Sequence, residues 1–261
     1  MLLMSPSDLD AREAWNTGAD AYSQFVESGA DYYRLLVHGP ALLAACGEVR
    51  GTAALDLGCG QGYFSRSLAR AGAKVTGVEL SDRLVARAVE LEAAEPLGIT
   101  YLRMDAAETG TRFEVESFDL VTACMSLQDM ADPAAVLAGA HRVLRRDGRA
   151  VFSVPHPATD PPVREWKRDE QGNKLALCLD RYFESGPAVC DWNMPRLKYP
   201  WSTPFRRYTL GEWGDLIRNA GFLIRSFREP RPDAALVATH PKLEDCFRMP
   251  YFLVFEIVKP L

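Results

Sequence analysis

The chain has 261 residues, 48% of them hydrophobic and 25% charged, a composition that fits one α/β domain with insertions and excludes repeat or low-complexity architectures. A net charge of -5, with short Arg-rich pieces such as "RVLRRDGR" at 142–149, argues against a general nucleic-acid binder, because neutralising a phosphate backbone takes a clustered basic surface. The start "MLLMSPSDLDAREAW" lacks a basic segment ahead of an apolar core, no run approaches the ~20 apolar residues of a membrane span, and the six cysteines show no CxxC pair or His at zinc-ligand spacing; a cytoplasmic protein with reduced thiols, no metal and no membrane contact is expected.

Residues 1–50 predict helices. Trp15, Ala19, Tyr22, Phe25 and Val26 recur at three- and four-residue spacing, and a second helix runs through Tyr32, Tyr33, Leu35 and Leu36 to Leu43 before Gly47 and Gly51. From Thr52, short apolar runs alternate with helical stretches, the signature of βαβ units and a parallel sheet covered on both faces. Ser81 is an N-cap, Pro133 sits in a first turn after Asp132, and Gly72 and Gly148 follow their helices. Residues from about 156 to 208 break the rhythm with prolines and aromatics (Trp166, Tyr182, Phe183, Trp192, Tyr199, Trp201, Phe205, Tyr208) and read as a long inserted cap. A capped helix "TLGEWGDLIRNAG" and strands "FLIRSFREP" and "PYFLVFEIVKP" close the chain; "RPDAALVATHPKLEDCFRM" between them holds too many prolines for one helix.

"ALDLGCGQGYF" at 54–64 carries the most chemistry. A strand ends in Asp56 and turns through Gly58, Gly60 and Gly62 into a helix, placing bare backbone at the carboxyl edge of a parallel sheet, where open α/β sheets bind ligands. The spacing is GxGxG rather than the GxGxxG of dinucleotide folds, with Tyr63 where the third glycine would stand. A carboxylate beside the loop serves a cationic amino group better than a pyrophosphate.

"LDLGCGQGYFS" therefore resembles the first motif of class I S-adenosylmethionine-dependent methyltransferases. The resemblance covers residues 50–155 strongly, and the closing strand pair fits the family's antiparallel edge. It implies a Rossmann-like parallel sheet with helices on both faces and a C-terminal antiparallel strand, an N-terminal helical lid over 1–50, and a methyltransferase domain over 51–261 with the aromatic-rich cap inserted. It also implies S-adenosylmethionine as cofactor, with S-adenosylhomocysteine as product. The loop residues Asp56, Gly58, Cys59, Gly60 and Gly62 would lie under the cofactor. Glu79, followed by Leu80, matches the acid on the ribose hydroxyls; Asp105 and Ala106 match the adenine-binding pair; Met125 and Ser126, in "FDLVTACMSLQDMADP", would lie near the methyl group. Tyr22 matches a lid tyrosine that meets the cofactor carboxylate, or else packs helix to sheet.

Methyl transfer needs positioning and, for a protonated acceptor, a base. His156 in "SVPHP" is the first candidate, or else it stabilises a turn between two prolines; Asp129 and Gln128 are the second, both for orienting the acceptor and Asp129 also for chemistry, or else Asp129 caps a helix beginning near Asp132. Trp15, Tyr33, Trp192 and Tyr208 are expected to build an apolar acceptor pocket, and Cys59 and Cys124 are packing residues. The reading is a methyltransferase acting at O, N or C of a small, aromatic or heterocyclic metabolite, as monomer or homodimer. An RNA- or protein-modifying methyltransferase stands as the alternative, weakened by "CMSL" where an "NPPY" tetrapeptide marks base amino methylation. A non-catalytic S-adenosylmethionine-binding protein and an NAD-dependent oxidoreductase are the others.

Overall fold

The computed structural model describes residues 9–192 and 200–260; Tyr199 and the first eight lid residues lie outside them. Helices α1 (Ala11–Glu27) and α2 (Gly39–Cys46) precede strands β1 (Ala53–Leu57), β2 (Lys74–Glu79), β3 (Thr100–Arg103), β4 (Phe118–Cys124) and β5 (Leu144–Pro155). Between those strands run α3 (Tyr63–Arg70), α4 (Asp82–Ala94), α5 (Thr109–Arg112) and α6 (Pro133–Val143). Strands β6 (Val163–Arg168), β7 (Lys174–Asp180), β8 (Gly186–Trp192) and β9 (Trp201–Arg207) follow, then α7 (Leu210–Asn219), β10 (Leu223–Arg228), α8 (Ala234–Thr239), α9 (Glu244–Arg248) and β11 (Phe252–Val258).

The main sheet has the order β10-β11-β5-β4-β1-β2-β3. Strands β1 to β5 pair in parallel, and β11 runs antiparallel between β5 and β10. This is the class I methyltransferase fold expected from the sequence. Alternation along the strands divides the core between two faces. Leu55, Leu57, Val121 and Phe152 pack with Val136 of α6 and Trp213 and Ile217 of α7; Ala54, Leu120 and Val151 pack with Leu42 of α2 and Phe64 and Leu68 of α3. Among the described residues no helix is long and apolar enough to cross a membrane, and no group of three or more His, Cys, Asp or Glu side chains could hold a metal ion.

The caps read from sequence are present: Ser81 Oγ accepts from Leu84 N at 3.2 Å, Asp132 Oδ1 from Ala135 N at 2.9 Å, and Thr209 with Glu212 forms a reciprocal capping box. Gly148 does not follow a helix. α6 ends at Val143, and Gly148 lies within β5.

The helix expected from Tyr32 to Leu43 widens into a π-helical turn over Arg34–His38. Pro40 has no N–H to give to Leu36, so the ladder slips and Gly39 N bonds Arg34 O instead. The inserted cap is not one long loop but two antiparallel hairpins, β6–β7 and β8–β9, with Trp192 directly opposite Trp201. Those two rings stack at 5.2 Å, and α1 seats on them so closely that a Cβ on Gly18 would lie 2.2 Å from the Trp201 ring.

Candidate functional site

From β1 the chain builds β2 and β3 to one side and then crosses back to β4 and β5 on the other, and this reversal opens a crevice at the strands' carboxyl ends. Three acids from successive strand ends reach it. Glu79, 7% exposed, accepts from Gly60 N through Oε2 and from Ser81 N through Oε1, both at 2.9 Å, so one carboxylate ties the glycine loop to the start of α4. Each of its oxygens retains a lone pair for a ligand hydroxyl. Asp105 accepts from Ala107 N at 2.9 Å, and Ala106 lies beside it in the same lining.

Asp56 is 1% exposed, and both its oxygens are taken, by Ser65 Oγ at 2.7 Å and Thr122 Oγ1 at 2.9 Å. The carboxylate thus pins β1 to α3 and β4 while lining the crevice. Burial pushes its carboxyl up to about 6, against the pull of both hydroxyls. Between about pH 4 and 6 the folded chain holds a proton that the unfolded chain has released, so this group's contribution to stability falls as pH rises through that window. Asp56→Asn is neutral throughout, and rotated hydroxyls can accept from its amide. The unfolding free energy of Asp56→Asn relative to wild type is expected to rise by about 3 kcal/mol from acid to neutral pH in urea titrations; a pH-independent difference would contradict a buried carboxyl of raised proton affinity.

Gly58, Cys59 and Gly60 line the crevice, whereas Gly62 does not. Gly62 starts α3 with φ 85°, and a Cβ there would lie 2.2 Å from the Tyr101 hydroxyl, so packing against β3 also requires a glycine here. Burial raises the Cys59 thiol well above its usual value and the Cys124 thiol to about 11, so neither is a thiolate nucleophile near neutral pH.

The crevice is a narrow cavity of about 110 Å³ that opens into one of about 1000 Å³ beneath the lid and cap. Trp15, Tyr22, Arg34, Met125 and Asp129 line both. Met125 holds φ 54°, a strained conformation for a side-chain-bearing residue, and its N–H bonds Ser153 of β5. Its carbonyl accepts from Gln128 Nε2 at 2.8 Å, and the same amide reaches Asp129 Oδ2 at 3.1 Å. Burial first, then the charges of Glu79 and Asp160, raise the Asp129 carboxyl well above the usual range, while the Gln128 hydrogen bond opposes them.

Arg34, invisible to helical periodicity, is the chief residue missed by the sequence reading. It is 8% exposed, pairs with Asp31 at 2.8 Å and donates to the Tyr22 hydroxyl at 2.7 Å. The π turn aims it inward, and no local motif announces that. Tyr33, Gln128 and Trp192 line the larger cavity, Trp192 meeting Trp15 and Tyr22 edge-on at 5.6 and 5.7 Å.

Two expected residues are elsewhere. His156 lines neither cavity: its Nδ1 accepts from Ala158 N at 3.2 Å, capping a short turn, and Nε2 meets Glu229 at 3.0 Å. Tyr208 packs on Trp213 at 4.4 Å against the core.

A family model described as "Methyltransferase domain" matches residues 55–152. The crystal structure of an S-adenosylmethionine-dependent methyltransferase from Mesorhizobium loti superposes with a TM-score of 0.70 at 32% identity, over 84% of this chain and 95% of that one. The chain belongs to the S-adenosylmethionine-dependent methyltransferases.

This methyltransferase is also 37% identical over 107 residues to the ubiquinone biosynthesis O-methyltransferase of Ralstonia nicotianae, a match spanning 41% of this chain and 44% of that protein, which is less than half its length. It shares the fold, at 19% identity and a TM-score of 0.58, with the 1,6-didemethyltoxoflavin-N1-methyltransferase of Burkholderia thailandensis, over all of this chain and 93% of that one; that structure holds 1,6-didemethyltoxoflavin and S-adenosylhomocysteine. The methyltransferase's cofactor is S-adenosylmethionine, and the crevice suits it. A Cβ on Gly60 would fill the space in front of the Tyr22 ring, 3.6 Å away, the buried Glu79 has capacity for hydroxyls, and Arg34, paired with Asp31, lies in the same lining.

Proposed function

We propose that this methyltransferase acts on O or N of a small, aromatic or heterocyclic metabolite, with Asp129 as the base at the acceptor. The single observation that carries the reading is Asp129 itself: a partly buried carboxyl of raised proton affinity, oriented by Gln128, in the lining of both the cofactor crevice and the larger cavity. S-adenosylmethionine supplies a methyl group on a sulfonium, ready for in-line displacement. Glu79 would hold its ribose hydroxyls, Asp105 and Ala106 its adenine, and Arg34 with Tyr22 its carboxylate; Leu80, Cys59 and Met125 complete the walls. Trp15, Tyr33 and Trp192 would cover the acceptor and exclude water.

Asp129 would take the proton of the acceptor, whose freed lone pair would bond to the methyl carbon as the carbon–sulfonium bond breaks and neutral S-adenosylhomocysteine leaves. The negative net charge and aromatic lining support a small molecule over RNA or protein. Incubation of the enzyme and S-adenosylmethionine with catechols, hydroxyindoles and N-heterocycles is expected to release S-adenosylhomocysteine with at least one class and none with bulk tRNA or unfolded protein. Turnover confined to tRNA or protein would refute the reading.

A further inference from the structure

Two residues on the lining of the larger cavity, Gln128 and Asp160, carry hydrogen-bond acceptors that the transfer chemistry leaves unused. Gln128 is 6% exposed, and its Nε2 is fixed by two groups that accept, the Met125 carbonyl and Asp129 Oδ2. That orientation leaves Oε1 without a partner among the described residues. Asp160 lines the same cavity just after the His156-capped turn, and among the described residues its carboxyl accepts no hydrogen bond; only its backbone oxygen does, from Arg207 Nε at 3.1 Å. Burial raises the Asp160 carboxyl, outweighing the charges of Arg207 and Arg164.

Two cations, Arg34 and Lys242, lie on the lining, Arg34 being the one assigned above to the cofactor. Arg34 is matched by Asp31, and Lys242 lies over the Tyr32 ring at 5.7 Å. The same lining carries the aromatic side chains Tyr33, Trp192, Phe205 and Phe252. A ligand completing such a cavity brings several N–H donors and positive charge on an aromatic frame. A hydroxyl supplies one donor where an ammonium supplies three, ring faces attract a cation, and an anion would meet two carboxylates.

Building on the small-aromatic reading above, we propose that the acceptor is an aromatic amine whose protonated amino group is held by Asp160 and Gln128 Oε1, with its ring between the lid and cap aromatics. The amino group anchors the molecule while Asp129 faces the reacting atom.

The test uses three ligands with one ring and different heads: tyramine, tyrosol and 4-hydroxyphenylacetate, each titrated calorimetrically into the full chain saturated with S-adenosylhomocysteine. Tyramine is expected to bind at least tenfold tighter than the other two. Asp160→Asn should erase most of that preference while leaving S-adenosylhomocysteine affinity, the readout of an intact fold, within about twofold; Gln128→Leu should erase it as well. Tyrosol or 4-hydroxyphenylacetate binding as tightly as tyramine, or a tyramine preference that survives both substitutions, overturns the amine assignment alone. Failure of all three to bind overturns the small-aromatic reading and the inference with it.

Discussion

Glu79→Ala is expected to reduce S-adenosylmethionine affinity by roughly 10²- to 10⁴-fold in calorimetry. Two hydrogen bonds from ligand hydroxyls to a charged acceptor are worth roughly 1.5–3 kcal/mol each, and both vanish together. The loss is compounded by the loop, because the same carboxylate accepts from Gly60 N and Ser81 N and so holds the glycine turn in register with α4. Glu79→Gln, which keeps one acceptor oxygen, should fall between the two. The main sheet should survive, since Glu79 lies at a strand end and the core residues on both faces are untouched. Affinity within threefold of wild type in Glu79→Ala would remove this residue from the cofactor site.

The second large effect concerns turnover rather than binding. Asp129→Asn retains the shape and the hydrogen bond with Gln128 yet cannot take a proton, so turnover is expected to drop by roughly 10²- to 10⁴-fold with cofactor affinity nearly unchanged. The sign of the pH dependence follows from the raised carboxyl. Wild-type turnover should be low where Asp129 is protonated and climb as pH rises through its elevated value, well above the ordinary carboxylate range. Burial sets that elevation, with Glu79 and Asp160 adding to it and Gln128 opposing. In Asp129→Asn the rising limb should disappear. Wild-type rates in the variant across pH would show that the acceptor arrives already deprotonated, and would reduce Asp129 to a packing residue.

The sheet, its two covered faces and the acids at the strand ends are legible in the sequence because they obey local rules. Near-continuous apolar strands mark a parallel sheet, and GxGxG after "LDL" marks a bare turn at its edge. The lid chemistry is less legible. Arg34 looks like any charged residue on an amphipathic helix, and what turns it inward is a slipped hydrogen-bond ladder two steps before Pro40. The hairpin β6–β7 does carry a signal, two strand-length runs around "DEQGN", where Asp169 Oδ1 accepts from Gln171 N and Asn173 N and Gly172 takes φ 85°. The density of prolines and aromatics on either side obscures it.

His156 and Tyr208 illustrate a different limit of sequence position. His156 follows β5 at the sheet's carboxyl edge and Tyr208 follows β9 of the cap, yet direction decides: His156 turns to cap Pro157–Thr159, and Tyr208 turns onto Trp213. Position along a strand identifies which edge a residue occupies. Side-chain direction beyond the strand's end depends on contacts more than fifty residues away, such as that between His156 and Glu229.

The crystal structure of the chain with S-adenosylhomocysteine tests the account most directly. Glu79 should lie within hydrogen-bonding reach of both ribose hydroxyls, Arg34 against the amino-acid carboxylate, and the sulfur at the opening toward Asp129 and the larger cavity. A ribose bound away from Glu79, or a sulfur turned from the larger cavity, would contradict it.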